Sequence, residues 1–307
     1  MVELLMGLDV QKKTRWMFQQ IHQAVAVQED PHIHHILIVP DQFTLQTEKW
    51  YLDVTGEPGL MNPEVLSFNR LAHRIFQETG GRNRIVIDDL GKHMLVKKIL
   101  LQLKDQLLVY HNLPREQGLT ACIVDSIAEC KQYGITPEIL VKQGERLKDQ
   151  PLLKNKLHDL AQILYHFNEG LAEKYVDQED KFFALIHQMQ KSNKLKHTIC
   201  WIDGFYSLTP RMMEVLMRLI KTCAGVYMTV YGSGSWISQS QRPLMHPFQK
   251  LLKQLREDGV QFSVRDVDDV AVRSYKISAL SHLKTYFQHL PVVSWHGESK
   301  GITLAAA

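Results

Sequence analysis

The sequence predicts an α/β fold, a parallel sheet covered on both faces by helices and interrupted by an all-helical insertion. Three observations predict it. Short apolar runs alternate with helical patterns over residues 1–85. Strand patterning then lapses from about Asp88 to Ser192, where only helical periodicity is found. Alternation resumes at His197. Strands that alternate with helices pair in parallel, because each crossover helix returns the chain to the same end of the sheet.

The elements follow in order. A first strand spans Glu3–Met6 and a helix runs from about Thr14 to Val25. His35–Val39 is a second strand, ended by Pro40, and the next helix carries Leu45, Trp50, Tyr51 and Leu52. Glu64–Phe68 is a third strand. Ser67 or Asn69 can cap the helix after it, whose apolar stripe includes Leu71, Ile75 and Phe76, and Gly80-Gly81 stops it. The helical span reads Met94, Leu95, Ile99 and Leu100; then Ile123, Ile127 and Cys130; then Leu157, Leu160, Ile163, Leu164 and Phe167. Gly134 with Pro137, and Gly144 with Pro151, punctuate it. About 100 residues is a workable size for a separate domain.

Beyond that span, Thr198–Ile202 is a buried-strand run ending in Asp203-Gly204. Thr209 caps a helix with Pro210 at its first position and a stripe of Met212, Leu216 and Leu219. Val226–Val230 is a strand, Phe248–Leu255 a helix, Gln261–Val264 a short strand and Ile302–Ala305 a final one. An apolar run that stops at Ala307 reads as a fragment of a longer protein. The domains expected are residues 1–85 with 195–307, and an insertion over 86–194.

The chain has 307 residues, 45% hydrophobic and 22% charged, with a net charge of +3. Those are ordinary values for a globular protein, and the weak positive charge neither requires nor excludes nucleic acid. No apolar run approaches the roughly 20 residues that cross a membrane, and the start carries no signal-peptide pattern. Cys122, Cys130, Cys200 and Cys223 form no C-x-x-C pair. They read as reduced and mostly buried, so the expectation is a cytoplasmic protein without a membrane partner. His32, His34 and His35 lack a partner set with ligand spacing, so no zinc is expected.

Chemistry is suggested first by a damaged motif. Gly7-Leu8-Asp9-Val10-Gln11-Lys12-Lys13-Thr14 lies where a phosphate-binding loop, G-x-x-x-x-G-K-[ST], would lie. Gly7, Lys13 and Thr14 match. Lys12 replaces the glycine that lets backbone N–H groups turn toward phosphates, and Asp9 adds a carboxylate to an anion cradle. Asp203, after the Thr198–Ile202 run, stands where such enzymes hold Mg²⁺, and Gly204 occupies the place of the helicase general base. The residues therefore form a degenerate nucleotide site, Gly7, Lys13, Thr14 and Asp203, with ATP hydrolysis not expected. The plainer alternative is that neither segment ever met nucleotide.

Two further stretches follow the carboxyl ends of the second and third strands, where open α/β sheets bind ligands. Val39-Pro40-Asp41-Gln42-Phe43-Thr44 and Ser67-Phe68-Asn69-Arg70 offer amide, hydroxyl and guanidinium groups. Phe43, Phe68 and Phe205 offer stacking faces. Polar groups that read base edges beside rings that stack bases suit single-stranded DNA. Taken singly, each residue is as well explained as a turn, cap or core residue.

These segments resemble the N-terminal part of the AddB family (RexB in some bacteria), the second subunit of a two-subunit bacterial helicase–nuclease. The matching stretches are VPDQFTLQTEK from Val39, VLSFNRLAHRIFQETGG from Val65, DDLGKHMLVKKIL from Asp88, KLHDLAQILYHF from Lys156 and WIDGFYSLTP from Trp201. The resemblance covers essentially the whole chain. It implies a RecA-like, UvrD-type helicase fold that is inactive, with a helical domain inserted. It implies DNA repair by recombination, recognition of Chi in single-stranded DNA, and a partner helicase–nuclease subunit of the AddA (RexA) kind. By motif position, Chi recognition would fall on Gln42, Thr44, Phe68, Arg70 and Phe205. The family's loop G-R-x-G-S-G-K-T is departed from at Leu8, Val10 and Lys12, and His73 stands where some relatives carry Trp. The family's nuclease domain and iron–sulfur cysteines lie farther toward the C-terminus, so this chain is expected to hold no cofactor and to be catalytically silent. A weak ATP-binding switch and a scaffold that docks the partner subunit are the competing functions.

Overall fold

The computed structural model of the chain describes residues 1–7, 9–80, 85–112, 117–171, 175–232, 246–267, 278–286 and 293–298. The elements are β1 (Val2–Gly7), α1 (Val10–Ala26), β2 (His34–Ile38), α2 (Thr44–Thr55), β3 (Glu64–Leu66) and α3 (Phe68–Thr79). There follow β4 (Ile85–Val86), α4 (Asp89–Gln102), α5 (Gln117–Gln132), α6 (Pro137–Arg146), α7 (Pro151–Leu171), β5 (Tyr175–Val176) and α8 (Gln178–Met189). The chain continues through β6 (Thr198–Ile202), α9 (Pro210–Thr222), β7 (Gly225–Tyr231), α10 (His246–Glu257), β8 (Ser263–Asp266) and α11 (Ser278–Tyr286).

By contacts the chain forms two compact units. The first, Met1–Asn69 with Asn193–Ser207 and Leu219–Ala307, holds a six-stranded sheet of order β3-β2-β6-β7-β1-β8. Its strand pairs are all parallel, as the alternation predicts. Leu5, Leu37, Val65 and Trp201 from the sheet pack with Met17, Phe18 and Ile21 of α1 and Tyr51 of α2. The strand that precedes the degenerate loop, β1, is separated from the strand that ends in Asp203 by β7 alone.

The second unit, Arg70–Ser192 with Leu208–Arg218, packs its own core. Val96, Ile99 and Leu100 of α4, Ile123 and Ile127 of α5, and Ile163, Leu164 and Phe167 of α7 form it, which is the stripe the periodicity marks. Gly134 adopts φ +67°, Thr136 caps α6 through the Ile139 N–H and Pro151 opens α7, so those breaks are real, but Gly144 is buried inside α6 rather than ending it. One expectation is corrected here. The span 86–194 is not strand-free, because Ile85–Val86 pairs in parallel with Tyr175–Val176. A two-residue strand carries no alternation long enough to read, and Ile85, Val86 and Tyr175 are exposed.

Smaller shifts have local causes. The first helix starts at Val10 rather than Thr14, because Asp9 caps it. The third strand stops at Leu66, and Phe68 already belongs to α3. The last described strand is Ser263–Asp266, not Gln261–Val264, with Leu4 opposite Val264. The expected strand Ile302–Ala305 lies outside the described residues. Cys130 and Cys200 are buried and Cys223 half-buried, but Cys122 is exposed. Among the described residues, no helix is long and apolar enough to cross a membrane.

Candidate functional site

From Asp9 onward the degenerate motif folds as a capped helix start. The Asp9 carboxylate accepts the Lys12 backbone N–H at 3.0 Å, and the Asp9 carbonyl accepts the Lys13 N–H at 3.0 Å. A helix N-terminus is where a bound phosphate would collect N–H groups. Here a side-chain carboxylate of the protein already takes that place. Lys13 is only 4% exposed, and its ammonium donates to the Val230 carbonyl at 2.8 Å and the Gly7 carbonyl at 3.2 Å. It also lies 5.7 Å from the centre of the Tyr231 ring.

Asp203 is engaged as fully. Its Oδ2 accepts from Thr14 Oγ1 at 2.6 Å, and its Oδ1 accepts a short bond from Thr229 Oγ1. Gly204 adopts φ +80°, and a Cβ there would lie 3.2 Å from Pro40 Cδ. A glutamate at this position would be strained in its backbone and pressed against Pro40. Gly7, Lys13, Thr14 and Asp203 are thus brought together, as the sequence predicts, but as one internally satisfied cluster. The residues present do not fit ATP with Mg²⁺: the anion position, the lysine charge and both Asp203 oxygens are committed to partners within the chain. Among the described residues, no group of three or more His, Cys, Asp or Glu is placed to hold a metal ion.

The second candidate lies at the carboxyl edge of the same sheet. The Val39 N–H donates to the Leu66 carbonyl at 2.9 Å, and the Asp203 N–H donates to the Ile38 carbonyl at 3.0 Å. These bonds carry the ladder past the strand ends and align the segments after β3, β2 and β6. Asp41–Phe43 forms one 3-10 turn that leads into α2. Gln42 is exposed; Thr44 is half-buried and donates to the Asp41 carbonyl at 3.3 Å. Asn69 Nδ2 donates to Asp41 Oδ2 at 3.0 Å, which ties the start of α3 to this turn.

The aromatic residues divide. Phe68 is 2% exposed and packs against Phe205 at 5.2 Å between ring centres. Phe68 is thus buried with its ring against Phe205 rather than open to solvent. Phe205 is half-buried, and Phe43 is 43% exposed. Gln42, Thr44 and Phe205 share the first unit, whereas Arg70, exposed in the first turn of α3, falls in the second.

Several features were missed by sequence reasoning. Tyr206 is 62% exposed and lies 6.1 Å from Tyr231. Trp201 stacks on Tyr227 at 4.2 Å, and its indole N–H donates to His35 Nδ1 at 3.2 Å. Burial, then the nearby His34, lowers the His35 pKa. In the second unit, Lys131 bridges Asp177 at 2.6 Å and Asp180 at 2.8 Å. Asp159, fully buried, accepts the backbone N–H groups of Leu108, Val109 and Tyr110 at 2.9, 2.7 and 3.1 Å. Tyr206 was signalled by its place beside Phe205; the others join residues too far apart in sequence to signal each other.

Comparison with known proteins gives the family. The profile of the family described as ADDB, N-terminal, matches residues 4–284. A protein of Alkaliphilus metalliredigens, named as a subunit of an ATP-dependent helicase/deoxyribonuclease, is 29% identical over 310 residues, covering 99% of this chain and 27% of that protein. A Clostridium perfringens protein of the same name is 30% identical over 312 residues, covering 100% of this chain and 27% of its own length. A third, from a Thermoanaerobacter strain, is 32% identical over 303 residues, covering 96% and 26%. The chain thus spans about a quarter of the length of the curated relatives it matches.

Proposed function

Because this chain belongs to the ADDB N-terminal family, we propose that it is the DNA-reading module of a bacterial ATP-dependent helicase–nuclease, built on a RecA-like fold that no longer handles nucleotide. Its DNA is a single strand containing Chi, delivered by a partner helicase subunit of the AddA kind in the cytoplasm. Residues 86–194 form a helical domain inserted into the RecA-like domain of residues 1–85 and 195–307. The observation that supports this reading is the carboxyl edge of the sheet, where Gln42, Phe43 and Thr44 follow β2 and Phe205 follows β6, the strand paired with it.

The roles follow from chemistry. The Gln42 amide can donate to and accept from one base edge. Thr44 adds a hydroxyl, and Arg70 a guanidinium suited to a guanine edge or a phosphate. Phe205 and Phe43 hold bases by their faces. Lys13 and Asp203 are engaged within the chain, which supports assigning unwinding to the partner.

The test uses the full-length protein with its co-expressed helicase partner, on DNA with and without Chi. Gln42→Ala and Arg70→Ala are each expected to blur the Chi-dependent fragment pattern and leave unwinding speed unchanged. A lost base contact is worth about 1–3 kcal/mol, roughly a 5- to 150-fold loss of discrimination. If both variants stop at Chi as efficiently as the unmodified enzyme, recognition has been placed on the wrong residues.

A further inference from the structure

Of four neighbouring strands of the sheet, β3, β2, β6 and β7, the last ends in Tyr231 and the other three lead into segments that carry Phe68, Phe43, and Phe205 with Tyr206. Ile38, Ile202 and Met228 share one rung, with Leu66 opposite Ile38. Phe68 follows that rung on β3, Phe43 on β2, Phe205 and Tyr206 on β6, and Tyr231 on β7. Adjacent strands lie about 4.8 Å apart, so the row extends sideways by about three strand spacings. Phe68 is buried and ends the row on the β3 side. Single exposed aromatics are common and need no explanation. Two large exposed faces in one row, Phe43 at 43% and Tyr206 at 62%, with half-buried Phe205 and Tyr231 beside them, do.

We propose that Tyr206, backed by Tyr231, is a further base-stacking platform for single-stranded DNA, so that the strand runs along the sheet edge from β2 across β6 toward β7 and the closed nucleotide loop. The inference rests on the DNA-binding function proposed above and extends it beyond the residues that read sequence. Lys13 and Asp203 are satisfied inside the protein, and Lys13 sits beneath the Tyr231 ring at 5.7 Å as a support. Tyr206 lies on a short segment at the strand end, 6.1 Å from Tyr231 and tilted by 56°. That angle presents its outer face rather than pairing both rings with each other. Stacking accepts any base, so this part of the track is expected to be indifferent to sequence.

The experiment uses the full-length protein with its partner subunit and measures affinity for two labelled single strands, one containing Chi and one of thymidines only. Tyr206→Ala is expected to weaken both strands by a similar factor, about fivefold or more, and Tyr206→Phe to restore binding. A 2-aminopurine moved along the strand should be quenched at one position in the unmodified protein and released there by Tyr206→Ala. Gln42→Ala, run in parallel, should affect the Chi strand alone. If Gln42→Ala acts as expected and Tyr206→Ala changes neither strand, the platform is refuted while the reading site stands. If neither variant acts on either strand, the sheet edge does not bind DNA and both fail. If Tyr206→Ala instead reduces recovery of the partner subunit with DNA affinity unchanged, the ring belongs to a protein contact and the platform is refuted.

Discussion

In a working phosphate loop the lysine serves the ligand; here Lys13 serves the fold, and Lys13→Met separates the two. Methionine keeps most of the buried stem and removes the ammonium. The Gly7 carbonyl retains the Gly232 N–H, at 3.4 Å, but the Val230 carbonyl loses its 2.8 Å donor inside the core. A hydrogen bond from a charged donor, lost in this way, is worth about 1.5–3 kcal/mol. The lost contact with Tyr231 adds to this, so about 2 kcal/mol is expected overall. At about 2–4 °C per kcal/mol for a chain somewhat shorter than this one, the midpoint should fall by several degrees. Thermal unfolding of the 307-residue chain, followed by circular dichroism with and without ATP and Mg²⁺, reads both effects. A ligand present at one hundred times its dissociation constant would raise stability by about 2.7 kcal/mol. The expected result is a lower midpoint for Lys13→Met and no shift with ATP for either protein. An unmodified chain stabilised by ATP, with Lys13→Met equally stable but unresponsive, would falsify the closed site.

Two further outcomes follow from buried polar groups. Asp159→Asn turns an NH₂ group toward at least one of the three backbone donors now held by the carboxylate, and should destabilise the second unit by about 2–3 kcal/mol; unchanged hydrogen-exchange protection at residues 108–110 would contradict this. Burial lowers the His35 pKa, so the native protein resists a proton that the unfolded chain binds below about 6.5. Stability should therefore fall as pH drops through that value, and His35→Gln, which still offers Trp201 an acceptor, should flatten the fall; equal pH slopes in the two proteins would count against it.

The strands of the large sheet were legible because they are buried on both faces and read as apolar runs, as in Thr198–Ile202. The gathering of Lys13, Thr14 and Asp203 was legible because motif spacing fixes position along strand and helix. Their occupation was not, because a template predicts a loop wherever its first glycine and lysine match, whereas the Asp9 cap starts the helix at Val10. Phe68 shows a second limit. An aromatic residue at a strand end reads alike whether it faces solvent or core, and only packing against Phe205 decides it. The bridge from Lys131 to Asp177 and Asp180 and the β4–β5 ladder are long-range pairings with no local signature.

The Asp9 cap and the Thr14–Asp203–Thr229 cluster have a consequence for timing. Motor domains that grip nucleotide change shape each time they turn it over. A sheet edge supported by these contacts within the chain is expected to keep one shape as nucleotide concentration changes. Under the function proposed above, such constancy would let the edge present one template to every passing base.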